Sequence, residues 1–127
     1  MAKVDFLKKR AEEFFETANY HLERGQNNLA ALDLEQATQL YLKYYLFLKL
    51  KDYPQTHSLE ELLEGLKKAY PNKKLEIDKI LKDRASTIGD LEQAYITSRY
   101  LPAEIGKNRI EKMQEFCKEL INFLGKL

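Results

Sequence analysis

Residues 29–51 read LAALDLEQATQLYLKYYLFLKLK, a run without proline or glycine that lasts until Tyr53-Pro54. Nothing in it fixes the backbone or removes an amide donor, so the stretch forms one long helix. One stripe of it, Leu29, Asp33, Gln36, Ala37, Leu40, Tyr44, Phe47 and Leu48, can face a single neighbour. Leu42, Tyr45, Leu46 and Leu50 spread apolar surface over the other side as well. A helix apolar on nearly every side is central to a bundle or forms an interface. Just before it, Asn27 or Asn28 can accept a hydrogen bond from the free amides of the first turn.

The flanking segments repeat their apolar residues at helical spacing. Val4, Leu7, Ala11, Phe14, Phe15, Ala18 and Leu22 mark a first helix from about residue 3 to 24, stopped by Gly25. Ser58 with Glu61 three residues on has the capping-box arrangement and starts a third helix, which carries Leu59, Leu62, Leu63 and Leu66 and ends by Tyr70-Pro71. From Leu75, the positions Ile77, Ile80, Leu81, Ala85, Ile88, Leu91, Ala94 and Tyr95 predict a fourth helix, with a kink or break near Gly89 because residues 86–90 are weak helix formers. Beyond Leu101-Pro102 a loop leads to a last helix, about Ile105 to Leu124. The expected fold is all-α, an up-and-down bundle of four long helices and one short one in a single domain, residues 1–127. Residues 18–44 faintly resemble a tetratricopeptide unit, but no second copy follows, so a repeat architecture falls away.

Composition narrows the function classes. The 127 residues carry 21 Lys plus Arg against 20 Asp plus Glu, a net charge of +1, and are 44% hydrophobic. A chain of this size buries enough surface for one core without disulfide or metal support. Its near-neutral balance excludes the broad basic surface that neutralises many phosphates, while leaving room for a local basic patch. The lone Cys117 can form no internal disulfide, and Lys3, Asp5, Lys8, Lys9 and Arg10 break any apolar leader. The most apolar stretch, Leu40 to Leu50, is about half a membrane span and contains Lys43 and Lys49. A cytoplasmic protein without a membrane span is expected.

Most candidate chemistry reduces to structure. His21 and His57 stand on different segments with no His or Cys close in sequence, so no metal site is expected. Glu12-Glu13 and Glu60-Glu61 diverge by about 100° around a helix and cannot share a site as a dyad. Cys117 falls on the apolar stripe of the last helix and reads as a core residue. No glycine-rich phosphate cradle occurs, which excludes Walker-type nucleotide hydrolysis. Lys67, Lys68, Lys73, Lys74, Lys79, Lys82 and Arg84 are interleaved with Glu76, Asp78 and Asp83, as on a solvated face. Two features resist this reading. Lys43 sits amid Leu40, Leu42, Tyr44, Tyr45 and Leu46, so its ammonium must snorkel out or meet an anion. Tyr95 and Arg99 lie one turn apart beside Tyr100, a stacking surface next to an anion fork. With His57 at a helix start they make a candidate pocket.

Three segments in order, residues 30–43 (AALDLEQATQLYLK), residues 56–62 (THSLEEL) and residues 95–100 (YITSRY), resemble the HEPN domain family over nearly the whole chain. Leu101 before Pro102 is an insertion relative to the family's Arg-Tyr-Pro pattern. The resemblance implies a helical bundle, commonly a homodimer, often encoded beside a small nucleotidyltransferase partner in prokaryotic toxin–antitoxin-like settings, and proposed to bind nucleotide or RNA. Many such proteins are metal-independent ribonucleases using Arg-x4-6-His, with histidine moving the proton and arginine stabilising charge on phosphorus. Here no arginine stands in that window before His21 or His57, and no histidine follows Arg84 or Arg99. The expectation is a domain with no catalytic residues, no metal and no cofactor. It holds a nucleotide or phosphate-bearing ligand near Lys43, His57, Tyr95, Arg99 and Tyr100. The same residues also suit a packing network that fixes the loop after helix four. A pure protein-interaction module and a metal-independent ribonuclease are the alternatives.

Overall fold

A computed structural model describes residues 4–127, and among them every regular element is helical. The expected helical start at residue 3 lies outside the described residues. Helices α1 (Asp5–Glu23) and α2 (Asn27–Leu50) form an antiparallel hairpin, turned at Gly25, whose φ of 73° suits a residue without a Cβ. The hairpin is tied at both ends. His21 Nδ1 lies 2.5 Å from Asp33 Oδ2 near the turn, and Lys8 Nζ lies 5.9 Å from the centre of the Tyr44 ring at the far end.

Helix α2 then packs against α3 (Leu59–Ala69), α5 (Ala85–Tyr100) and α6 (Lys107–Leu124) as well as α1, so it is the central rod that its sequence predicts. Ala30, Ala31 and Ala37 are wholly buried on it, with Leu34, Leu42 and Leu46 between them. Leu59, Leu62, Leu63 and Leu66 of α3, Ile88 and Leu91 of α5, and Ile110, Met113 and Phe116 of α6 join them in one apolar cluster. Leu29, Leu48 and Leu50 of α2 remain exposed at its two ends.

Helix α3 starts as expected at Ser58, whose Oγ accepts the Glu61 amide at 3.2 Å. The return bond of a capping box is replaced: the Ser58 amide donates to Thr56 Oγ1 at 3.1 Å. A short 3-10 turn, Pro71–Lys73, leads to α4 (Lys74–Asp83). The break expected near Gly89 falls instead at Arg84, so the predicted fourth helix is two, and the bundle has six α-helices rather than five. The cause is tertiary. Lys67 of α3 draws α4 to itself through Asp78 at 2.6 Å, whereas the Arg84 guanidinium bonds Glu119 of α6 and α5 continues against α2. Buried Ile88 and Leu91 flank Gly89 and hold it in the helix, which outweighs its cost of about 1 kcal/mol relative to alanine.

Two boundaries also move. Asn27 and Asn28 lie within the first turn of α2 and cap nothing there; no side chain caps that end. Their side chains reach the segment before α6 instead. Asn27 Nδ2 donates to the Ile105 carbonyl at 3.1 Å, Asn28 Nδ2 donates to the Ala103 carbonyl at 2.9 Å, and Asn28 Oδ1 accepts the Ile105 amide at 2.9 Å. With Ile105 buried and both its backbone groups engaged, α6 begins only at Lys107. Asn28→Ala removes two of these bonds and is expected to lower the unfolding free energy by about 1–3 kcal/mol in a urea titration, with little loss of helical circular dichroism.

Candidate functional site

A polar line runs along α2 at a spacing of four: buried Glu35 and Gln39, then part-buried Lys43. Glu35 has no exposed surface. Its Oε1 accepts Gln36 Nε2 at 2.6 Å and its Oε2 accepts Gln39 Nε2 at 2.8 Å. A carboxylate only accepts, so the Gln39 amide must point its nitrogen at Glu35 and its oxygen away. That oxygen receives the Lys43 ammonium at 3.0 Å. Lys43 Nζ also lies 5.6 Å from the centre of the Tyr53 ring. Among apolar neighbours on α2, then, Lys43 meets an anion of its own helix at one remove.

Burial pushes the Glu35 carboxyl up from its ordinary 4.5, against the hydrogen bonds of Gln39 and Gln36 and the charges of Lys43 and Arg99. Burial likewise pulls the Lys43 ammonium down from 10.5, against the charge of Glu35. Arg99 is near the end of α5, and its charge favours the ionised form of the same carboxylate that Lys43 does.

Around Arg99 the structure stacks rings and a cation. His57, in the loop before α3, lies against Tyr95 with ring centres 4.5 Å apart and planes 29° apart, and its Nε2 is 3.4 Å from Tyr95 Oη. The Arg99 guanidinium carbon is 4.2 Å from the Tyr95 ring centre and 4.9 Å from that of Tyr100. Arg99 Nε donates to the Tyr95 carbonyl at 2.9 Å, one turn back. His57, Arg99 and Tyr100 are exposed, Tyr100 at 70%, and Tyr95 is half-buried. All four form a continuous ladder at the surface, whereas the contacts of Lys43 are to Gln39 and Tyr53, outside the ladder. Sequence reasoning selected Lys43 but missed Glu35 and Gln39, although their four-residue spacing ahead of it was readable.

The remaining polar groups are structural. Burial pushes Asp33 up from its ordinary 3.8, opposed by the hydrogen bond and charge of His21. The Cys117 thiol, 2.9 Å from Thr38 Oγ1 and fully enclosed, is pushed up to about 12 by burial and supplies no thiolate at neutral pH. Of the basic residues on α3 and α4, Lys67 pairs with Glu64 and Asp78, Lys73 with Glu76, and Arg84 with Glu119. Among the described residues no group of three or more His, Cys, Asp or Glu is placed to hold a metal ion. No described helix is long and apolar enough to cross a membrane.

The raised Glu35 carboxyl makes a pH prediction. The folded state binds this proton more readily than the unfolded chain, so Glu35 costs stability as pH rises from about 4.5 through its higher folded value. Glu35→Gln removes that titration, while Asp33, with the same sign, stays in both proteins and cancels. The stability of the variant minus that of the wild type, from denaturant titrations at a series of pH values, is expected to climb across this window. A flat difference contradicts the assignment.

No curated protein matches the chain. The family model described as HEPN domain matches residues 4–127, which include the α2 line, the His-Ser-Leu turn at α3 and the α5 ladder. On that match, and with an all-helical bundle to carry it, the chain belongs to the HEPN domain family.

Proposed function

We propose that this protein is a non-catalytic HEPN module that binds a nucleotide or a short run of single-stranded RNA at Lys43, His57, Tyr95, Arg99 and Tyr100. The observation that carries this reading is the ladder in which Arg99 lies against both Tyr95 and Tyr100. Tyr95 already has His57 and Arg99 against it, so base stacking falls to the exposed Tyr100. Arg99 uses Nε on the backbone, which leaves its terminal nitrogens for a phosphate. In this reading His57 donates a hydrogen bond from the far side of Tyr95, and Lys43 adds positive charge. Rings alternating with cations hold single strands without reading much sequence.

Self-association through exposed apolar helix surface and action beside a small nucleotidyltransferase complete the proposal. Ile96, Tyr100 and Leu101 are exposed together next to Arg99 and support an interface that borders the ligand site. A single, buried cysteine suits a reducing cytoplasm.

A specific observation favours one second reading. His57 and Arg99 both lie against Tyr95, so an arginine and a histidine share one ring although the Arg-x4-6-His spacing is absent. Those two residue types can move a proton and stabilise charge on phosphorus, the roles that metal-independent RNA cleavage needs. Isothermal titration with ATP and with a short single-stranded RNA, followed by incubation of the RNA with protein in EDTA, separates the readings. Saturable heat and intact RNA are expected. Tyr100→Ala is expected to weaken binding about 5- to 150-fold, as for loss of one stacked base, and Arg99→Ala at least as much. Cleavage abolished by His57→Ala turns the reading to a ribonuclease; no heat from either ligand leaves a protein-interaction module.

A further inference from the structure

Three segments far apart in sequence meet at one end of the bundle. Helix α1 begins where α2 finishes, with Lys8 beside Tyr44. Helix α3 finishes there too: Tyr70 Oη donates to the Tyr45 carbonyl at 2.9 Å, and Lys49 Nζ lies 5.5 Å from the centre of the Tyr70 ring. The 3-10 turn Pro71–Lys73 then starts α4 from the same end. Each segment sets large apolar side chains beside lysines. Phe6 precedes Lys8 and Lys9, Leu48 and Leu50 alternate with Lys49 and Lys51, and Leu75 follows Lys74. All four apolar groups are exposed, Leu75 at 84%. Single exposed leucines are ordinary on a protein surface, whereas a group of large apolar side chains gathered at one place marks a contact surface.

The charges at this end are one-sided. Lys8, Lys9, Lys49, Lys51 and Lys74 form no ion pair with a described residue, while Lys73 pairs with Glu76 and Lys67 with Asp78. The acids beside them are half-buried Asp5 and Asp52, whose Oδ1 accepts the Tyr53 amide at 2.8 Å. This end is therefore positive although the whole chain carries only +1. Charge complementarity calls for an anionic partner, and the apolar groups decide which. A nucleic-acid strand is held by rings and guanidinium groups that stack on its bases. Here three of the four protruding groups are leucines, and the cations are lysines, point charges on aliphatic stems. An anionic bilayer takes both, the ammonium groups among its headgroups and the leucines at its acyl boundary. We propose that the end of the bundle formed by the start of α1, the end of α2 and the start of α4 docks on a membrane surface of anionic phospholipid, with Leu50 and Leu75 entering the acyl boundary.

The chain contains no tryptophan, so Leu75→Trp supplies a lone fluorescent reporter. With vesicles of phosphatidylcholine carrying about 30% phosphatidylglycerol, its emission is expected to shift to the blue and to be quenched by brominated acyl chains. Lys118→Trp, on the exposed side of α6, is expected to do neither. In vesicle flotation the unaltered chain is expected to bind these vesicles at least tenfold more tightly than pure phosphatidylcholine, and to come off as salt is raised. A lysine at an anionic surface is worth about fivefold in affinity, so Lys49→Glu combined with Lys74→Glu is expected to weaken binding by about 20-fold or more. Lys112→Glu with Lys118→Glu, the same change of charge placed on α6, is expected to weaken it less than threefold. Leu50→Ser with Leu75→Ser keeps every charge and is expected to weaken it at least fivefold. The replaced side chains are all exposed, and helical circular dichroism checks that each variant folds. The proposal is overturned by equal binding to neutral and anionic vesicles, by equal loss from the two lysine pairs, or by indifference to the leucine pair with unshifted emission from Leu75→Trp. Release from the vesicles by short single-stranded RNA, with the lysine pair but not the leucine pair weakening RNA binding, overturns it in favour of a nucleic acid.

Discussion

Helix α2 has neighbours on almost every side, and the rest of the molecule follows from that enclosure. A rod that touches α1, α3, α5 and α6 has little solvent-facing arc left for polar residues, yet α2 carries Asp33, Glu35, Thr38 and Gln39 in buried positions. Each is satisfied from within the fold: Asp33 by His21, Glu35 by Gln36 and Gln39, and Thr38 by the Leu34 carbonyl beside Cys117. No buried side-chain nitrogen or oxygen among the described residues lacks a partner. Unsatisfied, such groups would cost about 1–3 kcal/mol apiece, so the enclosure is tolerable only because these bonds form.

The same enclosure orders the polar line of α2. Glu35 is wholly buried, and it orients Gln39, which in turn fixes Lys43. The charge of Arg99 on α5 completes the compensation. A buried ion is weak evidence for stability, and here its bonds fix the orientation of Gln39 and, through it, the position of Lys43. The ladder of His57, Tyr95, Arg99 and Tyr100 is held instead by its own stacking and by the Arg99 Nε bond to the Tyr95 carbonyl.

Much of this was legible in residue order. The uninterrupted run of α2, the Ser58 cap, the Gly25 turn and the apolar periodicity of α1, α3 and α6 carry local causes that act within a few residues, and each appears where the pattern puts it. The grouping of Tyr95, Arg99 and Tyr100 is equally local, one turn of helix. The break at Arg84 was not legible, because Gly89 is the weaker helix former and only contacts to Asp78 and Glu119, distant in sequence, decide between them. Asn27 and Asn28 were misread for the same reason: their partners lie about 75 residues away, where a local rule offers only capping.

The sequence by itself determined the all-helical class, the central role of residues 29–51 and the family, because helix periodicity and short motifs are written in neighbouring residues. Tertiary structure alone decided that Glu35 is sealed in the core with Gln39 between it and Lys43, that His57 stacks on Tyr95, and that α4 separates from α5 to open a recess against α6. Those outcomes depend on which helix faces come together, and that is settled by the energy of packing the whole bundle at once.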